Sequence, residues 1–319
     1  RPHADFRRAR RRIVKLSQLR HLIAAAEAGG IRQAAKNVHL SQSALTKSIQ
    51  LLEASLGVEL LHRASHGVTP TAAGAALIAR ARAIESELRQ ARNDLEDIRG
   101  AGKGEIRVSA SPTVAMSLLP RAILEFKRQR PKVSFHVEEG VYPDVLRGVR
   151  LGELDFAICL VPEPPKDEEL HFEWLLRDHL VPAVRPSHPL ARRGRLTLAE
   201  LAKLKYEWVI YGRSRSGRDV FEGTFAAAGQ TPPQGTIECT SFACTLALVE
   251  SSDYLTLVPA QLFTERRGRA AIVPLAMASP MPPWNVAVIS RPKHRLSPLC
   301  LAYLRQLHRS AAKLRGTAW

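Results

Sequence analysis

Residues 31–56, IRQAAKNVHLSQSALTKSIQLLEASL, decide how the rest of this chain is read. They form two short helical patterns joined by a tight turn. Ala34, Ala35 and Val38 recur at helical spacing in the first. Ser41 is placed to cap the second, its hydroxyl accepting a backbone N–H at the helix start. Ala44, Leu45, Ile49, Leu52 and Leu56 make the expected buried stripe of that helix. Gln42, Ser43, Thr46, Lys47 and Gln50 are left on its other side. That face carries amide, hydroxyl and ammonium groups, which hydrogen-bond base edges and phosphates. The pattern predicts a helix-turn-helix with Ser41 to Leu56 entering the major groove.

Working outward, Leu16 to Ala28 predicts a preceding helix with Leu19, Leu22, Ile23 and Ala26 inward, ended by Gly29-Gly30. Val58 to Thr69 predicts a hairpin, or wing, turning near Ser65-His66-Gly67, with Arg63 and His66 near phosphate or the minor groove. Arg7, Arg8, Arg10, Arg11 and Arg12 form a basic arm, which suits either DNA phosphates or a solvated tail.

Charge follows this segment. Of the net +17, residues 1–70 hold +8, from twelve Lys/Arg against four Asp/Glu; residues 71–100 are neutral, and +9 is spread over the remaining 219. A basic concentration on a helix-turn-helix is an electrostatic footprint for a polyanion. The 45% hydrophobic content is ordinary, so sizeable cores are expected. Lys15, Arg20 and His21 interrupt any signal-like run. The uncharged stretch Val273 to Ser290 contains Pro274, Pro280, Pro282 and Pro283 and cannot be a spanning helix. A cytoplasmic location is the expectation. Cys159, Cys239, Cys244 and Cys300 contain no C-x-x-C pair and no clustered His partner, so free thiols are expected rather than a metal site; a redox pair of Cys239 and Cys244 stays open.

Thr71 to Arg99 predicts one long helix. Leu77, Ala81, Ile84, Leu88, Ala91, Leu95 and Ile98 alternate in steps of four and three, an a/d seam that needs a second helix to cover it. It predicts pairing of two chains, with an intrachain contact as the alternative. GAGKG, residues 100–104, reads as a hinge. Beyond it, strand and helix patterns alternate and predict a parallel sheet. Strands are expected at Glu105–Ala110, Lys132–Glu138, Leu154–Leu160, Phe172–Leu176, Leu180–Arg185, Trp208–Tyr211, Gly235–Cys239, Leu255–Val258, Ile272–Pro274 and Asn285–Ser290, with a closing helix at Pro298–Arg315.

Ala34-Ala35, Leu40 to Ile49 (LSQSALTKSI), Leu52-Glu53, Leu56-Gly57, Leu60-Leu61, Arg63, Thr69-Pro70-Thr71 and Gly74 together resemble the N-terminal signature of LysR-type transcriptional regulators. The resemblance covers about sixty residues in register. Gly30 stands where the family often has Ser, Ser43 where it often has Pro, and Leu61 where it often has Phe. LLPRAILEFKRQRPKVSFHVEEG, LRGVRLGELDFAI, HPLARRGRLTLAEL and LTLVPAQLF resemble the effector domain of the same family. The resemblance implies an α/β chain: a winged helix-turn-helix at 1–70, a dimerising linker helix and hinge at 71–103, and an effector domain at 104–319 that is two-lobed like a periplasmic binding protein. Lobe one would be 104–162 plus 268–319, and lobe two 163–267.

It also implies a regulator of transcription binding promoter DNA through Arg32, Ser41, Gln42, Ser43, Thr46, Lys47, Gln50 and Arg63, as a homodimer or homotetramer, with RNA polymerase as a further partner. A small organic anion, such as an aromatic carboxylate or sulfonate, would sit between the lobes as co-inducer, with no cofactor or metal. Helix N-termini offer N–H groups there. Ser111, Thr113, Val141, Tyr142, Tyr211, Ser214, Arg215, Thr240 and Ser241 are the candidate contacts, each hydroxyl having helix capping as its alternative role. A solute-binding protein or an enzyme on the C-terminal domain is the competing reading, but neither needs residues 17–74. GRSRSG at 212–217 lacks the following Lys and Ser/Thr of a phosphate loop, and Ser310 to Lys313 matches S-x-x-K without its partner motifs.

Overall fold

In the computed structural model, residues 13–64, 67–100, 102–161, 167–212, 215–233, 237–263, 271–279, 281 and 283–315 are described. The basic arm, the turn residues Ser65 and His66, and Ser214 lie outside them. The chain forms two compact units, one reaching to Arg89 with Leu151–Glu153, the other Gln90–Arg150 with Leu154 onward.

The first unit follows the apolar spacing. Helices α1 (Leu16–Ala28), α2 (Ile31–Asn37) and α3 (Gln42–Leu56) precede strands β1 (Leu61–Ala64) and β2 (Gly67–Pro70), an antiparallel hairpin. Ser41 Oγ accepts the Ala44 N–H at 3.2 Å, and Gly57 closes α3 in the left-handed region at φ 70°. Leu19, Leu22 and Ile23 meet Ala34, Ala35, Leu45, Ile49 and Leu52 in one core. The stripe on α3 is narrower than expected: Ala44 and Leu56 are exposed, because α1 and α2 back only the Leu45–Ile49–Leu52 line. The Glu53 carboxylate accepts the N–H groups of Leu60 and Leu61, at 2.9 and 3.3 Å, and so ties α3 to the hairpin. A Cβ on Gly74 would lie 1.9 Å from Leu60 O, so only glycine lets the next helix start against this loop.

That helix is α4 (Ala72–Ile98). Its seam divides. Ala81 is buried and Leu77 packs against the first unit's core, but Ile84, Leu95 and Ile98 are 43%, 54% and 82% exposed.

The second unit begins with β3 (Gly104–Ala110), then α5 (Pro112–Met116), α6 (Leu118–Gln129), β4 (Val133–Glu139), α7 (Leu146–Leu151), β5 (Phe156–Val161) and β6 (His171–Val184). There follow α8 (Leu198–Lys203), β7 (Trp208–Tyr211), α9 (Arg215–Ala227), β8 (Ile237–Cys239), α10 (Phe242–Glu250), β9 (Leu255–Pro259), β10 (Val273–Pro274), β11 (Pro283–Ser290) and α11 (Pro298–Arg315). The sheet is mixed rather than parallel. β3 is parallel to β4 and β5, and β7 to β8 and β9. β11 runs antiparallel to β5 and β6, and β6 antiparallel to β9, because the chain crosses between lobes on these strands.

Phe172–Leu176 and Leu180–Arg185, expected as two strands, are one continuous β6. The polar Arg177-Asp178-His179 between them stays in register with Asn285, Trp284 and Pro283. Residues 171–179 pair with β11 in the first lobe and 180–183 with β9 in the second. β10 pairs with Ala183 and Val184, on the second lobe's side. Residues 171–179 therefore leave the expected lobe two, and 273–274 the expected lobe one.

One core packs Phe126, Phe135, Phe156 and Tyr303 between α6, α11 and the first sheet half. Another packs Trp208, Phe221 and Phe225. The buried side of the end of α4 is polar. Gln90 donates to Asp155 and accepts the Ser297 N–H at 3.0 Å, and Asn93 brackets the Glu105 peptide with bonds of 2.9 and 3.1 Å.

Candidate functional site

In the first unit, the helix cap and the buried line of α3 fix which side faces out. Gln42, Ser43, Lys47 and Gln50 are exposed and Thr46 half-buried, and these five side chains line one shallow concave surface. Ser41 is exposed but spends its hydroxyl on the cap, with Ser43 Oγ 3.1 Å away. Arg32 on α2 and Arg63 on β1 are exposed. Behind the face, Ser48 Oγ lies 2.7 Å from His21 Nδ1, and burial lowers the pKa of that imidazole. Donors on one side of a helix held by an apolar core can read a major groove.

In the second unit, a cavity of about 340 Å³ opens between the two lobes. Ser111, Thr113, Val141, Tyr142 and Tyr211 line it, as expected from their positions after β3, β4 and β7. Thr240 and Ser241 do not. Both are exposed, and Ser241 Oγ accepts the Cys244 N–H at 3.3 Å, so capping explains Ser241. Ser214 and the Arg215 side chain lie outside what is described.

Ser111 behaves differently from a cap. Its side chain makes no hydrogen bond to α5; it is 4% exposed and its Oγ has no partner. A buried hydroxyl left unpaired costs on the order of 1–3 kcal/mol. Thr113 Oγ1 lies 3.5 Å from Gln261 Nε2. Cys159 also lines the cavity. Burial pushes its thiol up to about 12, against the backbone hydrogen bonds of Ser111 and Tyr142, so it is a neutral wall group.

The residue types that sequence reasoning missed are the apolar ones. Leu180, Val209, Phe221, Phe242 and Trp284 come from five separate elements and share no local signal. Tyr211 and Phe242 meet edge-on with ring centroids 5.2 Å apart. Asp219 is the lone Asp or Glu of the described lining, which contains no Lys, Arg or His. An anion placed here would be held by hydroxyl and backbone donors rather than by a described cation.

Near the lobe crossover, Asp178 on β6 is 7% exposed. Oδ1 accepts the His179 N–H at 2.8 Å, while Oδ2 makes no hydrogen bond. Burial raises this carboxyl to about 6, opposed by the backbone of His179, Gln261 and Ala260.

A winged helix-turn-helix joined to a two-lobed module with a cavity defines a DNA-binding protein that answers to a small molecule. The profile of "LysR substrate binding domain" matches residues 99–312, and that of "Bacterial regulatory helix-turn-helix protein, lysR family" matches residues 16–75. The chain belongs to the LysR family of transcriptional regulators. It is 33% identical over 290 residues to the SDS degradation transcriptional activation protein of Pseudomonas sp. (strain ATCC 19151), spanning 89% of this chain and 92% of that one. It is 26% identical to the HTH-type regulator YdcI of Escherichia coli K12, over 93% and 96% of the two chains. Among solved structures, full-length CbnR complexed with its target DNA superposes at TM-score 0.69 with 25% identity, covering 93% of this chain and all of that one. CbnR without DNA gives 0.70 and 26%, over 93% and 99%. Among the described residues, no helix is long and apolar enough to cross a membrane.

Proposed function

We propose that the chain pairs through the open part of the α4 seam and binds promoter DNA through Arg32, Ser41, Gln42, Ser43, Thr46, Lys47, Gln50 and Arg63, under control of a small molecule in the inter-lobe cavity. The assembly is a homodimer or homotetramer. Exposed Ile84, Leu95 and Ile98 support pairing, since such a narrow apolar stripe is stable when a second helix covers it.

The effector has an apolar body and one compact polar head. The unpartnered Ser111 hydroxyl in an apolar cavity is the observation that carries this. A volume of about 340 Å³ is at the small end of ligand sites, enough for a substituted aromatic ring or a short alkyl chain. A carboxylate or sulfonate head accepting from Ser111 fits this chemistry. The relative named for SDS degradation accords with an apolar body on an anionic head.

The effector acts by differential affinity for two arrangements of the DNA-binding pairs, the requirement of any ligand switch. Thermal shift of the purified chain against benzoate, benzenesulfonate and octanesulfonate tests the class. A binder at ~100 times its Kd adds about 2.7 kcal/mol of stability, and Ser111→Ala weakens it about tenfold, the loss of one hydrogen bond. Binding of these compounds undiminished by Ser111→Ala refutes the placement of the head.

A further inference from the structure

The net charge beyond residue 100 is not evenly held. Residues 101–265 carry twenty Lys/Arg against twenty-one Asp/Glu, whereas residues 266–319 carry ten Lys/Arg and no Asp or Glu. That is a denser single-sign segment than residues 1–70, which hold +8. Arg266, Arg267, Arg269 and the Arg315 side chain lie outside what is described, and Arg291 is buried. The other five fall on one piece of the fold, the 3-10 turn Lys293–Arg295 and helix α11.

Packing fixes which way these side chains face. Tyr303, Leu307 and Ala311 are buried in the core that α11 shares with α6 and the sheet. Gln306 and Ser310, a step round the helix, both donate to the Glu125 carboxylate of α6. Arg305 and Arg309 are left on the solvent side, four residues and so about 6 Å apart along the axis. Glu125 is already matched by Lys313 at 3.0 Å and Arg121 at 3.6 Å, and Glu173 of β6 by Lys293 at 2.8 Å and His308 at 2.6 Å. Arg295, Arg305 and Arg309 are exposed and make no ion pair among the described residues.

We propose that the outer face of α11 and the turn before it, centred on Arg295, Arg305 and Arg309, is a second DNA-contacting surface, which holds duplex phosphates without reading sequence. The α3 face supplies base contacts, and this one adds backbone contacts alone.

The chemistry of the face selects this partner. Its three unmatched cations are all arginines, whose planar guanidinium groups bond phosphate oxygens in pairs. Two of them stand on a helix whose rotation is locked by the core and by Glu125, so little order is lost on binding. A protein partner needs apolar anchors to bury, and no large apolar side chain between residues 291 and 313 is exposed. Phosphates need only cations, whose binding releases condensed counterions from the duplex. None of this depends on what occupies the inter-lobe cavity.

The test is filter binding of the full-length chain to a long mixed-sequence duplex over a salt series. Arg305→Gln with Arg309→Gln is expected to lower the slope of log K against log salt by about 1.8, two phosphates' worth. Gln is a good helix former and both positions are exposed, so the variant keeps the fold, which circular dichroism checks. Arg192→Gln with Arg193→Gln removes the same charge from exposed positions of the other lobe and is expected to leave the slope unchanged. An unchanged slope in the α11 variant overturns the proposal. An equal fall in both variants also overturns it, since net charge and not this face is then the cause. Lost retention of the α11 variant on immobilised poly-glutamate, with its duplex slope unchanged, assigns the face to an acidic protein and overturns the assignment to DNA. Lys47→Ala, measured alongside, still lowers the slope if the α11 face alone fails, so that failure is distinct from failure of the helix-turn-helix reading.

Discussion

Replacing Asp178 by Asn changes how the effector unit's stability depends on pH. The carboxyl sits in β6 near the lobe crossover, 7% exposed, and its pKa stands at about 6 against an ordinary 3.8. Below 3.8 both the folded and unfolded chains are protonated here. Between 3.8 and about 6 the folded chain holds a proton that the unfolded chain has lost, so stability falls as pH rises. Above about 6 the native state buries a charged carboxylate and the loss is complete, about 3 kcal/mol relative to acid. About 2 kcal/mol of it falls between roughly pH 4.5 and 7.5.

Asn keeps the shape and an acceptor for the His179 N–H but cannot ionise. Urea unfolding followed by tryptophan fluorescence reads the right unit, since Trp174, Trp208, Trp284 and Trp319 all follow the linker helix in sequence. The stability of Asp178→Asn minus that of the wild type is expected to grow by about 2 kcal/mol from about pH 4.5 to 7.5, other titrating groups cancelling in the difference. A flat difference would show that Asp178 ionises in the fold as it does in the unfolded chain and would refute the burial argument.

Lys47→Ala should weaken operator binding and lower the slope of log K against log salt by about 0.9, one phosphate's worth; an unchanged slope in a filter-binding series would remove Lys47 from the interface. Leu45→Ala, a fully buried side chain in the first unit's core, should cost roughly 2–5 kcal/mol and lower the melting temperature of that unit. Gly74→Ala places a Cβ 1.9 Å from Leu60 O and should destabilise the same unit, whereas Ala at the unencumbered Gly30 should be tolerated; equal thermal stability of the two variants would contradict the close approach. Ile84→Asp with Leu95→Asp should shift sedimentation toward monomer, and undisturbed association would exclude the seam as the pairing surface.

How much was legible differs from element to element. The helix-turn-helix was readable because Ala34, Ala35, Leu45, Ile49 and Leu52 lie close in sequence and their spacing alone sets which side of each helix is buried. Ser41's cap and the outward Gln42, Ser43, Lys47 and Gln50 followed from that spacing. The seam of α4 was equally local. Strand positions were readable but not their directions. That β6 is one strand serving two lobes, with β11 antiparallel beside it, depends on pairings between residues far apart in sequence.

The sequence by itself determined the outward face of α3, the α4 seam and the alternation of strands and helices, because periodicity and capping act within a few residues. Only the tertiary structure decided what the cavity is made of, since Leu180, Val209, Phe221, Phe242 and Trp284 converge from separate elements with no shared spacing. It alone decided that Ser111 is an unpartnered hydroxyl while Ser241 is a cap, two serines with the same local pattern. It also turned Gln90 and Asn93 inward while Leu95 and Ile98 on the same helix stay exposed, because the Asp155 carboxylate and the Glu105 and Ser297 peptide groups are polar partners that only folding brings to them.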